Sequence, residues 1–236
     1  MISNENFSEW RFYGRRQGRK LNASREEALN KILPEKIIDF ESLKSLKEID
    51  VSALFSSSYE KVIFEIGFGN GERLAEMIKR NPSYAYIAAE AYMNGVSSLL
   101  LENGIKEFKN LRILPDDALP LCKSLKNNQI DELYILNPDP WHKTRHHKRR
   151  IVNEENLKEF VRILKPGGFL YLSTDVPNLA EWMLTYTYRN NDLEWLAQNR
   201  SDWLTAPQYW IPTRYETKKA KGADKMHYFL FKKKSA

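Results

Sequence analysis

From residue 60 onward the chain alternates short apolar runs with amphipathic helical stretches, and this pattern constrains the fold more than any other feature. KVIFEIGFG ends in glycines and leads into the helical pattern ERLAEMIKR, which Asn81-Pro82 stops. YAYIAAEA, LRILPDDA, IDELYILNP and GFLYLSTD read as further strands, with NGVSSLLLENGIKE, LPLCKSLK and NEENLKEFVRIL as the helices between them. Strands that are apolar throughout and separated by helices predict a parallel sheet covered on both faces. A late helix over residues 178–190 and the strand MHYFLFKK finish the chain. A long irregular segment precedes that strand, so it is free to pair antiparallel at a sheet edge. The expected fold is a doubly wound, mostly parallel α/β sheet with an antiparallel edge strand and an N-terminal extension.

The first ~35 residues read as an arm with one helix. Ser24 and Glu27 have capping-box spacing ahead of Ala28, Leu29, Ile32 and Leu33, and Pro34 should end that helix. A second helix is expected over 35–47, with Ile37, Ile38, Phe40, Leu43 and Leu46 as its apolar stripe. No repeat or Pro/Gly-rich linker divides the chain. Residues 1–50 are therefore expected to be a basic helical extension to a domain over 51–236.

The first strand ends in Glu65-Ile-Gly67-Phe-Gly69-Asn-Gly71. A dinucleotide fingerprint needs a glycine at 72, where this chain has Glu72. An acidic glycine loop repels a pyrophosphate and attracts a cation. S-adenosylmethionine, which carries a sulfonium and an ammonium and no phosphate, suits it better. Glu90 ends the second strand at the distance where a carboxylate accepts from ribose hydroxyls, and Asp117 ends the third, placed to accept from an adenine amino group.

Charge is distributed unevenly. Residues 11–20, 143–150 and 214–234 together carry a formal +16, which leaves −10 on the rest of a chain whose total is +6. An acidic body with concentrated basic segments predicts a polyanion-binding face. A single cysteine, Cys122, excludes an internal disulfide and a multi-Cys zinc site. No apolar run approaches the ~18 residues of a membrane span, and no secretory signal opens the chain, so a cytoplasmic protein is expected.

The fourth strand runs into Asn137-Pro138-Asp139-Pro140-Trp141, where two prolines hold the carboxylate in place at a strand's C-terminal end. Trp141 is read either as a surface for a base or as a core side chain. Lys143-Thr144-Arg145-His146-His147-Lys148-Arg149-Arg150 follows and is suited to phosphate contact. Its histidines have no cysteine or acidic partner nearby, so no metal is expected. The fifth strand ends in Ser173-Thr174-Asp175, a second carboxylate expected to face the same crevice, and Thr213-Arg214-Tyr215-Glu216 precedes a Lys-rich loop with Gly222.

With these pieces in order over residues ~11–231, the chain resembles the tRNA (guanine-N7-)-methyltransferases of the bacterial TrmB type. The matching motifs are GRRQGRKL, EIGFGNG, AAEA, DDA, PDPWHKTRHHKRR, LKPGGFLYLSTD and TRYE. The resemblance implies a seven-stranded Rossmann-like class I fold with S-adenosylmethionine as cofactor, bound by Glu65, Glu90, Asp117 and Asp139 beside Gly67, Gly69 and Gly71. It implies Lys143, Asp175, Thr213, Arg214, Tyr215 and Glu216 at the substrate, Arg145 to Arg150 on tRNA, and variable-loop position 46 as the target. Two short departures stand out: Ala91-Tyr92-Met93-Asn94 after Glu90, and Asn137 where an aromatic residue is common. A monomer or small homo-oligomer is expected.

Guanine N7 carries a lone pair and no proton, so methyl transfer needs alignment and not a base. Asp139 is expected to stabilise charge developing on the purine, with Asp175 or Glu216 accepting from the guanine N1–H and amino group. The rivals are an exocyclic-amine methyltransferase, because Asn137-Pro138-Asp139-Pro140-Trp141 is similar to the loop of those enzymes, and a non-catalytic RNA-binding protein. A nicotinamide-dependent oxidoreductase is disfavoured by Glu72 and Glu65.

Overall fold

The computed structural model describes residues 13–40, 48–102, 104–218 and 225–235. In chain order the elements are α1 (Ala23–Lys31), β1 (Val62–Ile66), α2 (Glu72–Arg80), β2 (Ala85–Ala89), α3 (Met93–Leu101), β3 (Leu111–Leu114), α4 (Ala118–Ser124) and β4 (Ile130–Leu136). They continue with α5 (Glu154–Ile163), β5 (Leu164–Thr174), α6 (Pro177–Tyr188), β6 (Leu193–Trp195), α7 (Ser201–Leu204), α8 (Arg214–Thr217) and β7 (His227–Lys233). The strands form one seven-stranded sheet in the order β3-β2-β1-β4-β5-β7-β6. β1 to β5 pair in parallel, and β7 runs antiparallel to both β5 and β6. The antiparallel final strand and the seven strands agree with expectation; the three-residue β6 is the strand that the apolar pattern by itself does not mark.

Side-chain alternation sorts each strand between two cores. Phe64, Ile66, Ile87, Leu133 and Ile135 pack with Leu121, Phe160 and Met183 of α4, α5 and α6. Ile63, Tyr86, Ala88 and Tyr134 pack with Leu74, Ile78 and Leu99 of α2 and α3 and with Ala28 of α1. Glu65 shares its face with Ile63, and therefore points toward α2.

The N-terminal region departs from expectation in two places. α1 is capped by Asn22, whose side chain accepts from the Arg25 N–H at 3.0 Å, so Ser24 lies inside the helix. Asn22 has the extended backbone a cap requires (φ −84°, ψ 167°). Pro34 does end the helix, in a 3₁₀ turn over Leu33–Glu35. The expected second helix is absent over residues 36–39. There Ile37 forms a parallel bridge with Ile113, and the Ile113 N–H donates to the Lys36 carbonyl at 2.8 Å. β3 is the edge of the sheet, and this bridge covers part of the exposed edge. Leu43 and Leu46 of the expected helix lie outside the described residues, as do Arg11, Gly222 and most of the Lys-rich loop. No helix among the described residues is long and apolar enough to cross a membrane.

Candidate active site

Strand order reverses between β1 and β4, and the crevice outside their carboxyl ends is where such sheets bind ligands. A cavity of about 530 Å³ occupies it, walled by Gly67, Gly69, Glu90, Asp117, Asp139 and Trp141 among others. That volume is in the range of a small-molecule site.

The glycine loop is shaped by close approach. Gly71 has φ 84°, and a Cβ there would lie 2.6 Å from the Leu99 side chain. At Gly95, in the first turn of α3, a Cβ would lie 2.2 Å from the Gly69 carbonyl, so the loop and α3 meet backbone to backbone. Glu90 ties the loop to β2: its carboxylate accepts from the Gly69 N–H at 2.8 Å and from the Tyr92 N–H at 2.9 Å. Burial holds the Glu90 carboxyl above the ordinary range, and the nearby Asp139 charge adds to the shift.

Glu65 and Gly71 do not line the cavity. Glu65 is 2 % exposed and its carboxylate meets the equally buried Arg73 guanidinium at 3.0 Å. Arg73 also donates to the Ile211 carbonyl at 3.1 Å and stacks 4.4 Å from the Tyr134 ring and 5.2 Å from Trp210. Burial raises the Glu65 carboxyl while Arg73 lowers it, and the net direction is upward.

Asp117 caps α4 by accepting from the Leu119 N–H at 3.0 Å, and burial raises its carboxyl. Asp139 is exposed and makes no hydrogen bond among the described residues. It stands between two non-glycine residues in the left-handed region, Asn137 and Trp141, each at φ 47°. Such conformations cost about 1–3 kcal/mol each and persist where the surroundings enforce them. Trp141 is held edge-on to Tyr13 at 6.4 Å and to His146 at 5.9 Å. The Arg149 guanidinium lies 4.4 Å from the Tyr13 ring and 5.1 Å from Trp141. Tyr13 and Gly14 thus bring the N-terminal arm to the cavity wall.

The basic loop is not uniformly a surface. Lys143, Arg145 and Lys148 are exposed, and His146 is half-buried. Partial desolvation, then the Arg149, Arg145 and Lys143 charges, hold the His146 imidazole below its ordinary value. His147 packs on Trp182 at 5.5 Å. Arg150, expected on the RNA, is 1 % exposed and belongs to the interior. It donates to the Pro140 carbonyl at 3.0 Å and to Asn178 Oδ1 at 2.6 Å, and stacks 4.9 Å from Trp182. Its guanidinium therefore secures the Pro138–Pro140 turn against α6.

The expected substrate residues after β5 and at α8 do come together. Tyr215 donates to the buried Asp175 carboxylate at 2.9 Å, and Asn137 Nδ2 donates to Thr213 Oγ1 at 3.2 Å. Thr213 and Glu216 form a reciprocal capping box around α8. Glu216 also accepts from Trp210 Nε1 at 3.0 Å and from the Tyr228 hydroxyl at 3.1 Å. Its carboxylate therefore already takes internal hydrogen bonds on both oxygens. Arg214 pairs with Glu72 at 2.8 Å, joining α8 to the start of α2.

The donor set fits S-adenosylmethionine. Three carboxylates at three strand ends share one cavity, and Asn137 Oδ1 in its wall is buried without a hydrogen-bond partner among the described residues. A cationic ligand with N–H and hydroxyl donors satisfies both features. Three contributors escape the sequence reading: Arg73, Tyr13 and Gly14. Arg73 has a visible signal, a cation on the apolar stripe of α2 beside Leu74, Met77 and Ile78. Thr213-x-x-Glu216 likewise has capping-box spacing. Tyr13 and Gly14 leave no local signal, because only tertiary packing brings them to the cavity.

A family model described as putative methyltransferase matches residues 59–229. A protein of Rhizobium johnstonii named tRNA (guanine-N(7)-)-methyltransferase is 36 % identical over 222 residues, 94 % of each chain. One of the same name from Rhodospirillum rubrum is 32 % identical over 224 residues, 95 % of this chain and 88 % of its own. Among solved structures, the [4+2]-cyclase SpnF aligns at TM-score 0.52 and 15 % identity, over 83 % of this chain and 81 % of that one. The aminoglycoside resistance methyltransferase NpmB1 aligns at TM-score 0.50 and 17 % identity, over 75 % of this chain and 89 % of its own. The two solved structures show the fold alone. With the full-length relatives above 30 % identity and the matching family model, the chain belongs to the tRNA (guanine-N7-)-methyltransferase family.

Proposed function

We propose that the protein transfers a methyl group from S-adenosylmethionine to N7 of guanine in tRNA, at variable-loop position 46, in the cytoplasm. Residues 51–236 form the catalytic domain in this reading, and residues 1–50 a basic extension that meets the RNA. The observation that carries it is the cavity at the β1/β4 reversal, where Glu90, Asp117 and Asp139 converge beside a loop with exposed Lys143, Arg145 and Lys148.

When bound, S-adenosylmethionine supplies an electrophilic methyl group. Glu90, Asp117 and Asn137 hold that ligand, and Glu65 acts behind them by fixing Arg73 and α2 against β1. The chain has no proton to remove from N7. Its task is to align the base and stabilise the positive charge the purine gains. Asp139, exposed and unbonded among the described residues, suits that role. Asp175, reached by the Tyr215 hydroxyl, is the better candidate than Glu216 for the guanine N1–H and amino group, which adenine does not match. Lys143, Arg145 and Lys148 take the phosphates. A target base engaged in tRNA tertiary contacts has to be drawn from its stack.

The direct test is incubation with labelled S-adenosylmethionine and unmodified tRNA, followed by nucleoside analysis. 7-Methylguanosine is expected. A methyl group on an exocyclic amine would establish the rival methyltransferase, and no transfer would leave an RNA-binding protein. Asp139→Asn should lower kcat by about 100-fold, the usual cost of losing one charge-stabilising group. Wild-type turnover in that variant would remove Asp139 from the mechanism.

A further inference from the structure

A second cavity, of about 460 Å³, adjoins the first and has no acidic residue in its wall. It is lined by Arg15, Arg19 and Lys20 of the arm, Arg25 of α1, and Asn70 and Tyr92. The three arm cations are exposed and make no ion pair with a described residue. Among the described residues the Arg25 side chain makes one hydrogen bond, a long one of 3.4 Å to the Asn94 carbonyl.

Four cations around one cavity, none ion-paired with a described residue, repel each other, so something must hold them there. The first turn of α3 does so. The Met93 N–H donates to the Arg16 carbonyl at 2.9 Å, and the Gly18 N–H donates to Asn94 Oδ1 at 2.9 Å. Asn94 Nδ2 donates to the Arg19 carbonyl at 2.8 Å. At Gly18 a Cβ would lie 2.0 Å from the Tyr92 hydroxyl, so the arm passes directly over that ring. The path of the arm is thus set by Tyr92, Met93 and Asn94.

The two cavities share a partition. Gly14, Gly69 and Ala91 line the first, and their next neighbours Arg15, Asn70 and Tyr92 line the second. Adjacent residues of the arm, the glycine loop and the segment after β2 thus wall the two cavities. No residue of the 143–150 loop lines the second cavity.

We propose that this cavity binds a backbone phosphate of the RNA substrate, as a phosphate site separate from the basic loop. The inference rests on the reading of the protein as a tRNA methyltransferase. Guanidinium groups match phosphate oxygens two at a time, and an opening lined by exposed cations admits a phosphate that remains part of a strand. A site pinned to the first turn of α3, next to the glycine loop, holds the strand at a fixed distance from the cofactor cavity.

The test compares the full-length protein with its Arg15→Gln/Arg19→Gln/Lys20→Gln variant. Binding of unmodified tRNA is measured by filter retention over about 50–200 mM salt. The variant is expected to bind tRNA about tenfold more weakly at low salt. Its plot of log affinity against log salt should flatten by about 1 for each phosphate that the protein no longer neutralises. Its affinity for S-adenosylmethionine, by calorimetry, should stay within twofold of wild type. Unchanged tRNA affinity and slope, in a wild-type protein that does form 7-methylguanosine, overturns the phosphate site and leaves the methyltransferase reading standing. A wild type that modifies no RNA overturns that reading and the RNA assignment with it. Loss of inorganic pyrophosphate binding in a thermal-shift assay, with tRNA affinity retained, overturns the RNA assignment in favour of a small anion.

Discussion

The arm over residues 15–20 and the loop over residues 143–150 look alike as sequence, each a run of cations without an acid, yet the structure uses their charge differently. In the loop, Arg150 is inside the protein and Arg149 lies between two aromatic rings, so part of the run is structural. In the arm, Arg15, Arg19 and Lys20 stay outside while the backbone between them is bonded to α3. The loop is thus held partly by its side chains and the arm by its main chain. A cation run in a sequence is therefore not a count of cations offered to a ligand.

The largest effect that sharpens this contrast is expected at Arg150. Arg150→Ala strands the Pro140 carbonyl and Asn178 Oδ1 and empties the space beside Trp182. It should lower unfolding stability by about 2–4 kcal/mol, whereas Arg145→Ala, at an exposed position, should stay within about 0.5 kcal/mol. Urea midpoints of the two variants decide the matter. Equal midpoints would mean that the loop is a surface throughout.

A smaller effect lies where the two segments touch. Tyr13, Arg149 and Trp141 form a cation–aromatic stack in which the arm closes one wall of the cavity. A double-mutant cycle of Tyr13→Leu and Arg149→Gln should give a coupling of about 0.5–1 kcal/mol in stability. Zero coupling would separate arm from loop. Smaller still is the Arg16–Asp116 ion pair at 2.7 Å, both of whose side chains are about half exposed (53 % and 51 %). Arg16→Gln should cost less than about 1 kcal/mol and lose even that in high salt, because exposed pairs are screened.

The same contrast explains what is readable in advance. The alternating strands and helices from residue 60 are legible because buried parallel strands must be apolar along their whole length. α2 ends where Asn81-Pro82 requires it. Gly67, Gly69, Glu90, Asp117 and Asp139 are legible as wall residues because topology alone puts strand ends at the switch point. What is not legible depends on partners distant in sequence. Ile37 pairs with an edge strand 76 positions later, Arg150 is buried by a helix some 28 positions on, and Asn94 reaches back to an arm 75 positions earlier. Short β6 has too few residues to show a period. Glu216 is the opposite case: the capping-box spacing it makes with Thr213 is in plain view in the sequence.

The smallest effect separates the acidic cavity from both basic segments, and its sign is fixed by burial. Desolvation holds the Glu90 and Asp117 carboxyls above the ordinary range, so the folded chain binds their protons more tightly than the unfolded chain does. The stability this lends is fully present below the unfolded values near pH 4 and is lost as pH rises through the raised folded values. The Glu90→Gln/Asp117→Asn variant cannot titrate there. The Tm of the wild type minus that of the variant should therefore fall between pH 4 and pH 7, by a few degrees at most, on top of a constant offset from the altered hydrogen bonds. A difference that stays flat would mean these carboxylates ionise as they do in water, and the cavity would then lack the desolvated acidic wall that distinguishes it from the open, cationic one beside it. A difference that falls in wild type, and is abolished by saturating S-adenosylmethionine, would tie the same two carboxylates to the ligand, since a bound cation lowers the values that burial had raised.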